Sequence, residues 1–531
     1  MLVLSIHILL STVPSSPSPP SLPVSLVTPS YRALRTTGNS TLWEATLPAP
    51  GYSLGAPLVI SVGGSRHEMG RAYSVLLGNE TIDVYHAFMG HLMPNATTRA
   101  VFEAFADWLW ERFAAPHIPP SFIKELEGMR SASPAGRSPS VDVVSVRFNV
   151  LGNLPADTQN IATMLEQELE KGLPPAVAEM INKVIAHLLD CSWCEYGRES
   201  ARRTRQPFAS GCDAFAVWGS RTVTGRLFSS RNLDWNRDTG LALHKLVVVY
   251  RPEDAPPYAT FGFATGFGAL AGMSAAGLSV SEMNLDNSLT TFDGPPFPLR
   301  LRMVLERSSS LADARSLWEN TNNTDSMNFL IASATERKAL AVEAIGGAFS
   351  TAAPHATFSG FFGDDDPTEA AASCTVGTTG GGTCGTGFVD VPAEGGIKKI
   401  GMPLPEAVWR TNHAVHPRVM PTQEPLFNDT TFRYSLLRQL FETHAATKTR
   451  IGEVEGVRIA ASLGIKGPDF FSCDPRQFSD GSNIMSILYA PRGNGTDDSY
   501  ALVAWEDGTG TGWSPAACNA YVRIDLASFW R

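Results

Sequence analysis

Long apolar runs and an excess of positive charge are both missing from this sequence. No stretch of 18 or more apolar residues occurs, so we expect no helix that spans a bilayer. The 42 lysines and arginines are outnumbered by 52 aspartates and glutamates, which gives a formal net charge of −10. Because nucleic-acid surfaces need clustered cations, this balance argues against a nucleic-acid partner.

Cofactor motifs are missing as well. The sequence has neither the Gly-x4-Gly-Lys-Ser/Thr phosphate loop nor the His-Glu-x-x-His metal motif. The glycines in residues 266–272 have the wrong spacing for a dinucleotide loop, and a strand-like segment follows them. His413 and His416 are close in sequence, but Pro417 argues against a helix that would align them. We therefore expect neither a cofactor nor a metal ion.

The overall composition is that of a globular protein. Of 531 residues, 43% are apolar and 18% are charged, which supports a large core and excludes a disordered or fibrous chain. This length fits one enzyme-sized body or two to three domains.

The first 30 residues differ in composition from the rest of the chain. Residues 2–10 form an apolar run and a Ser/Pro-rich tract extends to about residue 30, which predicts a signal peptide and a flexible linker in residues 1–30. Seven cysteines and six Asn-x-Ser/Thr acceptors indicate a secreted or lysosomal glycoprotein with disulfide bonds. The acceptors are Asn39, Asn79, Asn95, Asn322, Asn428 and Asn494.

The cysteine spacing leaves several pairings open. Cys191 and Cys194 have the spacing of a redox pair or of half a zinc site, but no second such pair follows, which favours a structural disulfide or a bridge from either cysteine to another part of the chain. A bridge between Cys374 and Cys384 would close the Gly/Thr-rich segment 368–387. Because the number of cysteines is odd, one thiol is left over as a candidate reactive group.

Helical patterns precede residue 211 and strand patterns follow it. Residues 31–210 are expected to be mostly helical, and apolar residues recur at helix spacing from Val101 to Phe113, behind a cap at Thr97 or Thr98. Short β-rich segments follow, with helices expected at 301–319 and 432–446, so the order indicates an α+β fold. The expected strands are 213–218, 227–230, 246–250, 271–283, 329–332, 339–343, 483–489 and 500–505.

Cys212 lies at this change of pattern. It opens a strand directly after Gly211, and a turn at residues 219–225 leads to a second strand that ends in Arg231-Asn-Leu-Asp234-Trp. Such a hairpin brings Arg231 and Asp234 back toward Cys212, and a cation beside a thiol lowers the pKa of the thiol. On these residues alone, a reactive thiol and a buried structural cysteine beside an ion pair are equally good interpretations.

The same segment resembles the N-terminal nucleophile (Ntn) hydrolases, and within them the branch of acid ceramidase, N-acylethanolamine acid amidase, choloylglycine hydrolase and penicillin acyltransferase. The Gly-Cys pair and the Arg-Asn-Leu-Asp-Trp segment carry the likeness. Two further motifs match in order, the strand that ends in Asn284 and the later Thr411-Asn412-His413. Asp213 departs from the pattern, because relatives usually carry Thr or Ser at that place.

The resemblance implies a four-layer αββα sandwich of two packed antiparallel sheets, made as a precursor that cuts itself between Gly211 and Cys212. Residues 31–211 would form a helical propeptide or small chain and residues 212–531 the catalytic chain, and the two would stay associated. The substrate would be a small N-acylated molecule, with a lipid-like acyl chain, that is cleaved at its non-peptide amide bond. Acyl transfer to another amine is a variant of the same reaction.

The resemblance also implies a role for each site residue. Cys212 would be the nucleophile and its freed α-amino group the base. Asp234 would accept a hydrogen bond from that amine, while Arg231 would support the thiolate and bind the polar end of the substrate. Asn284 would donate to the oxyanion and Asn412 would hold the amine or the substrate amide. For both asparagines, ordinary strand-end turn residues are the alternative.

Three other interpretations stay open. A lysosomal phospholipase B-like hydrolase would share the fold and the nucleophile. A papain-type pairing of Cys212 with His413 would leave the chain uncut. A secreted glycoprotein that retains the fold without cleavage would have no catalytic role at all.

Overall fold

Two large β-sheets lie at the centre of the fold. The computed structural model describes residues 24–48, 51–152, 175, 178–183, 211–285, 289, 291–346, 358–363, 388–393, 396–401, 404–416, 419, 422–423, 428–464, 473, 483–493 and 498–530. In these ranges the two sheets pack face to face and helices cover the outer side of each. The order helix, sheet, sheet, helix confirms the predicted α+β fold and its four αββα layers.

Nineteen strands are found among the described residues. They are β1 (Leu26–Val27), β2 (Ser30–Thr37), β3 (Ser40–Thr46), β4 (Leu58–Gly64), β5 (Gly211–Val217), β6 (Phe228–Asp234), β7 (Lys245–Pro252), β8 (Tyr258–Phe263), β9 (Ala271–Ser274), β10 (Leu278–Asn284), β11 (Met327–Ser333), β12 (Lys338–Ile345), β13 (Phe358–Phe362), β14 (Phe388–Ala393), β15 (Gly396–Gly401), β16 (Ala407–Arg410), β17 (Asn483–Ala490), β18 (Tyr500–Trp505) and β19 (Tyr521–Asp525).

The strands divide into two large sheets and one hairpin. The seven-stranded sheet has the order β1-β19-β18-β17-β6-β5-β16, and the ten-stranded sheet has the order β13-β12-β11-β10-β9-β8-β7-β4-β3-β2. Strands β14 and β15 pair only with each other. Neighbours are antiparallel except for β1 with β19 and β4 with β7, so the prediction of two antiparallel sheets holds with one parallel pair in each.

The described helices fall into two groups. They are α1 (Arg66–Leu92), α2 (Ala96–Leu109), α3 (Pro120–Ser131), α4 (Val141–Gly152), α5 (Phe297–Arg307), α6 (Leu311–Glu319), α7 (Asn428–Ala446), α8 (Glu453–Leu463) and α9 (Leu526–Phe529). Helices α1, α5 and α6 pack on the ten-stranded sheet, with α3 and α4 against α1. Helices α7 and α8 pack on the seven-stranded sheet. No described helix has both the length and the apolar character that a bilayer crossing requires.

The segment before the first helix differs from expectation. Residues 31–64 were expected to be helical, but Ser30–Thr37, Ser40–Thr46 and Leu58–Gly64 are strands that extend the ten-stranded sheet. Strand β2 lies at the sheet edge and is mostly exposed, so it lacks the apolar residues of a buried strand, whereas β3 beside it buries Leu42 and Ala45. The third, β4, is anchored by parallel pairing with β7.

Two smaller expectations also need correction. Helix α2 is capped by Asn95, whose side chain accepts hydrogen bonds from the backbone N–H groups of Thr97 and Thr98, so neither threonine is the cap. The segment 271–283 is a hairpin of two strands and not one, because Gly277 turns the chain with a φ of 91°.

One disulfide joins Cys473 to Cys518 within the predicted catalytic chain. The proposed pairings of Cys191 and Cys194 and of Cys374 with Cys384 lie outside the described residues, as do the predicted signal peptide and most of the linker.

Candidate active site

The β5–β6 hairpin positions Cys212. Its strands pair antiparallel. Gly211 lies opposite Asp234, and Cys212 lies opposite Leu233. The turn between them contains Gly219 and Gly225, whose φ angles of 61° and 72° lie in the left-handed region that glycine adopts without strain. The predicted return of the second strand to Cys212 is therefore present in the structure.

Both strands of this hairpin are completely buried. They lie inside the seven-stranded sheet, with helices on one face and the second sheet on the other. Cys212 is 3% exposed and is the free cysteine among the described residues. Because buried polar groups need partners, the polar residues of the hairpin must satisfy one another or residues from other elements.

The thiol of Cys212 is in contact with a buried ion pair. Arg231 Nη2 lies 2.9 Å from Glu282 Oε2, and Arg231 Nη1 donates to the backbone oxygen of Asn232 at 2.6 Å. Burial raises the pKa of the Cys212 thiol, and the charges of Glu282 and Asp234 add to this effect. The charge of Arg231 and its hydrogen bond to the sulfur act in the opposite direction and favour the thiolate.

Asn412 contacts the backbone of Cys212 directly. The N–H of Cys212 donates to Asn412 Oδ1 at 2.6 Å, and Asn412 Nδ2 donates to the backbone oxygen of Asn284 at 2.9 Å. One side-chain amide thus joins the ends of β5, β10 and β16. The two asparagines that the motifs singled out are in contact with each other beside the nucleophile.

Two other elements fix the position of Asn412. Its backbone N–H donates to Thr430 Oγ1 at 2.9 Å. Asn328 Nδ2 donates to the carbonyl oxygens of Thr411 and His413, at 2.8 and 2.9 Å, on either side of Asn412. Strand β11 and helix α7 therefore hold the loop that carries this amide.

Glu343 completes the support of the same loop. Its buried carboxylate pairs with Arg410 Nε at 2.9 Å and accepts the backbone N–H groups of Val415 and His416, at 3.0 and 2.8 Å. A charged acceptor of several N–H groups is one of the stronger ways to order a loop.

Arg433 links Asn412 to the residue after the nucleophile. Its Nη1 donates to the backbone oxygen of Cys212 at 2.7 Å and its Nη2 to Asn412 Oδ1 at 2.9 Å. The same Nη1 lies 3.5 Å from Asp213 Oδ2, while Asn232 donates to Asp213 Oδ1 at 2.9 Å. Burial raises the pKa of Asp213 to about 7, although Arg433 opposes the shift.

Asp234 is held by Asn483, at the start of β17. Its Oδ1 accepts a hydrogen bond from Asn483 Nδ2 at 2.7 Å, and Asn483 Oδ1 accepts the backbone N–H of Ala517. In this uncut chain Asn412, and not Asp234, accepts the N–H of Cys212. Asp234 nevertheless lies close enough for its charge to raise the pKa of the Cys212 thiol.

A cavity of about 280 Å³ opens onto this site. Cys212, Asp234, Glu282 and Asn284 line one part of it, whereas Arg231 is fully buried and is not among the lining residues. The expected contact of Arg231 with the polar end of a substrate therefore does not fit its position. Most of the remaining wall is aromatic or aliphatic, and includes Phe88, Phe148, Trp235, Phe261, Phe263 and Phe297.

Both sides of the predicted cleavage point contribute to this wall. Phe88 is on α1, Phe102 on α2 and Phe148 on α4, all of which precede Gly211, while Trp235 and Phe261 follow it. The aromatic helix α2 thus lines the cavity at Phe102, and its Phe105 and Leu109 are buried in the core.

His413 does not pair with Cys212. Its Nδ1 contacts the hydroxyl groups of Thr411 and Thr430, at 3.1 and 2.8 Å, and its ring packs against Tyr434. Burial, with the nearby Arg410, lowers the pKa of His413 to about 3, so the ring stays neutral. This geometry contradicts the papain-type alternative.

Several site residues were not predicted from the sequence. Glu282, Asn328, Glu343 and Arg433 come from four elements, and their partners are separated from them by long stretches of chain. Only Glu282, which lies two residues before Asn284, falls inside a recognised motif. Among the described residues, no three His, Cys, Asp or Glu side chains come together to hold a metal ion.

Comparisons with known proteins give distant likenesses. No family model matches the sequence. The chain is 28% identical to protein dcd1B of Dictyostelium discoideum over 116 residues, which are 21% of this chain and 23% of that protein. The match therefore spans about a quarter of the length of this curated relative.

Solved structures of amidases are also similar to the chain. The Caenorhabditis elegans ortholog of N-acylethanolamine-hydrolyzing acid amidase matches with 13% identity and a TM-score of 0.32, over 53% of this chain and 93% of that one. Two variants of conjugated bile acid hydrolase from Clostridium perfringens match with 13% identity and TM-scores of 0.33 and 0.32, over 60% of this chain and 93% of each.

Proposed function

We propose that this chain is a self-processing cysteine hydrolase of the Ntn type, which cleaves the non-peptide amide bond of an N-acylated small molecule. The observation that carries the proposal is the position of Cys212. Its thiol contacts the Arg231–Glu282 pair, and its backbone N–H donates to Asn412. Cys212 itself lies at the polar end of an apolar cavity.

The first reaction is cleavage of the chain itself. The Cys212 sulfur attacks the carbonyl carbon of Gly211, a carbon–sulfur bond forms, and the carbon–nitrogen bond of the peptide breaks. The thiol proton ends on the nitrogen, which becomes the α-amino group of Cys212. Water then hydrolyses the thioester, so the products are residues 1–211 with a carboxylate and residues 212–531 with a free amine.

The new amine then serves as the base for substrate turnover. An α-amino group has a pKa of about 8, so near neutral pH a part of it is unprotonated and can take the thiol proton. This internal base matters because burial raises the pKa of the Cys212 thiol. Asp234 would orient the amine once the peptide bond is gone, and Arg231 would stabilise the thiolate.

Acylation and deacylation are both attacks on a carbonyl carbon held at Cys212. The thiolate attacks the amide carbonyl, the tetrahedral oxyanion collapses, and the amine product leaves with the proton that the α-amine carried. Water then attacks the thioester and releases the acid, or a second amine takes the acyl group. Asn284 would donate to the oxyanion, and one such donor typically lowers the barrier by about 3 kcal/mol.

The cavity fits a lipid-like acyl chain. Among the described residues that line it, the charged ones are Asp234 and Glu282 at the end where Cys212 lies, and most of the others are aromatic or aliphatic. Because α1, α2 and α4 supply part of that wall, the small chain would have to remain bound after cleavage for the site to stay complete.

The compartment would be secreted or lysosomal. The Cys473–Cys518 disulfide is typical of an oxidising compartment. Among the glycosylation acceptors, Asn39, Asn79, Asn95 and Asn322 are exposed and so accessible to modification.

The decisive experiment replaces the sulfur. Cys212→Ala should give an intact, folded single chain with no amidase activity, while the wild type shows two fragments that separate between Gly211 and Cys212. N-terminal sequencing and intact mass of purified protein measure the cut. If Cys212→Ala is still cut at this bond, an external protease is responsible and self-processing is wrong.

The choice between amide and ester substrates needs its own assay. An N-acyl amide and a glycerophospholipid with the same acyl chain should be compared at equal concentration. We expect hydrolysis of the amide, and activity on the ester alone would favour the phospholipase B-like alternative.

An active protein whose Cys212 nitrogen is still in a peptide bond would exclude the α-amine mechanism. A protein that stays uncut and inactive would be a binding module.

A further inference from the structure

The reactive end of the cavity is acidic. Among the residues that line it in the described part of the chain, Asp234 and Glu282 carry charge, and no lysine, arginine or histidine is present. Arg231, whose charge could otherwise attract an anion, is fully buried and outside the lining. A bound substrate would therefore meet two carboxylates and no cationic side chain at this end.

Glu282 has one oxygen available to a ligand. Its Oε2 is paired with Arg231, but no hydrogen bond within the described residues uses Oε1. The side chain is 6% exposed and lines the cavity. Burying a carboxylate oxygen without a partner is costly, so a donor supplied by the ligand would stabilise the complex. Asp234 is already committed to Asn483 and, in the proposed mechanism, to the Cys212 amine.

We propose that Glu282 selects the amine half of the substrate, accepting N-acyl amides whose amine part is neutral or cationic and rejecting those whose amine part is anionic. This rests on the proposed function, which places the scissile amide at Cys212. The apolar wall then takes the acyl chain. The amine half extends toward Glu282, whose charge is close enough to raise the pKa of the Cys212 thiol.

The physical basis is discrimination by charge in a poorly solvated site. An ethanolamide offers a hydroxyl that donates to Glu282 Oε1, whereas a glycine conjugate with the same acyl chain brings a carboxylate next to two others. Like charges in a buried site repel strongly because little water screens them. Arg231 offsets part of the charge of Glu282, but its guanidinium is fully buried and outside the lining, so it offers no N–H donor to an anionic ligand.

The kinetic test compares N-decanoyl ethanolamine with N-decanoylglycine. Wild type should prefer the ethanolamide by more than about tenfold in kcat/KM, equivalent to about 1.4 kcal/mol. Glu282→Gln keeps the shape but removes the charge and leaves Arg231 unpaired, so the preference should fall below about threefold or reverse. Glu282→Asp should retain the preference. As a control, Asn236→Ala changes an uncharged lining residue and should change kcat/KM for both substrates by the same factor.

A binding test separates this inference from the proposed function. Uncut Cys212→Ala protein retains the cavity and should bind the ethanolamide more tightly by calorimetry, with the difference lost in the Cys212→Ala/Glu282→Gln variant. Equal binding, tighter binding of the glycine conjugate, or no binding of either overturns the role of Glu282. If the binding preference is present but wild type neither cuts itself nor hydrolyses either amide, the proposed reaction fails while the recognition by Glu282 stands.

Discussion

Two of the buried arginine–glutamate pairs in the described residues have different surroundings. Arg231 and Glu282 lie 2.9 Å apart beside the free thiol, and Glu282 borders the cavity. Arg302 and Glu125 lie 2.5 Å apart between helices α5 and α3, at 0% and 1% side-chain exposure. Neither Arg302 nor Glu125 lines the cavity.

The second pair belongs to a closed network. The Arg302 guanidinium stacks on the rings of Phe122 and Tyr250, 4.5 and 4.0 Å from their centroids, and its Nε donates to Tyr258. Tyr258 donates in turn to Glu306, which forms two hydrogen bonds with Arg66. Aromatic rings and carboxylates thus surround the buried guanidinium.

A buried ion pair is therefore not by itself a functional signal. The two pairs have the same chemistry and similar burial, but only one has an acceptor facing a cavity and a nucleophile as neighbour. The closed network joins α1 and α3, before the proposed cleavage point, to α5 after it. Its expected role is therefore to hold the two parts of the chain together.

Breaking the closed pair should have the largest effect on stability. Glu125→Leu leaves the Arg302 charge buried without its partner, which should lower the free energy of unfolding by about 3 to 5 kcal/mol. Urea denaturation in the uncut Cys212→Ala background measures this, because one chain then unfolds. Glu319→Leu, in the exposed pair with Arg315, is the matched control and should cost less than about 1 kcal/mol.

The same variant should leave the chemistry intact. With Cys212 present, the folded fraction of Glu125→Leu should keep the kcat/KM of wild type, because the closed network does not reach the cavity. A large loss of kcat/KM with unchanged stability would mean that the two networks are coupled and that the distinction between them is wrong.

Removing the amide that holds the nucleophile should have the next largest effect. Asn412→Ala removes the acceptor of the Cys212 N–H and a partner of Arg433, and should lower kcat/KM about 100-fold, or about 3 kcal/mol in the barrier. Asn328→Ala, which only loosens the loop around Asn412, should cost clearly less. Rates of amide hydrolysis by pre-cleaved protein test this order, and equal losses would mean that Asn412 acts only through the loop.

The local part of the site could be predicted from the sequence. Cys212, Arg231 and Asp234 share one hairpin, so their proximity follows from two short strands and a glycine-bounded turn. Asn284 and Asn412 were found through motifs at strand ends. The pairing of β4 with β7 was missed because a contact between segments so far apart in the chain has no local pattern. The β2–β3 hairpin was missed although its strands are neighbours in the chain, because β2 is a mostly exposed edge strand with few apolar residues.

The rest of the site depends on how distant elements cross. Glu282 meets Arg231 because the two sheets pack face to face, and Arg433 reaches Asp213 because α7 crosses the seven-stranded sheet. Such contacts are set by layer packing and not by spacing along the chain. The sequence showed that Asp213 departs from the family pattern, but it did not show the ion pair of Asp213 with Arg433.

The smallest expected effect concerns Asp213 and pH. Its pKa of about 7 in the folded chain is far above the ordinary value near 4, because burial outweighs the charge of Arg433. The folded state therefore holds a proton that the unfolded chain releases between about pH 4 and pH 7. Rising pH in this window favours the unfolded chain, so Asp213 lowers stability by up to about 1.4 kcal/mol for each pH unit.

Asp213→Asn removes this titration while keeping an acceptor for Asn232. In the uncut Cys212→Ala background, the loss of unfolding free energy between pH 5 and pH 7 should be about 2 kcal/mol smaller in the Asp213→Asn variant than in the chain that keeps the carboxyl group. Glu506, whose pKa burial also raises to about 7, contributes with the same sign, so Glu506→Gln is the control that should flatten the curve independently. If the unfolding free energy changes equally with pH with and without the Asp213 carboxyl group, Arg433 keeps that group ionised. The site beside Cys212 then tolerates a buried charge as well as the closed network around Arg302 does.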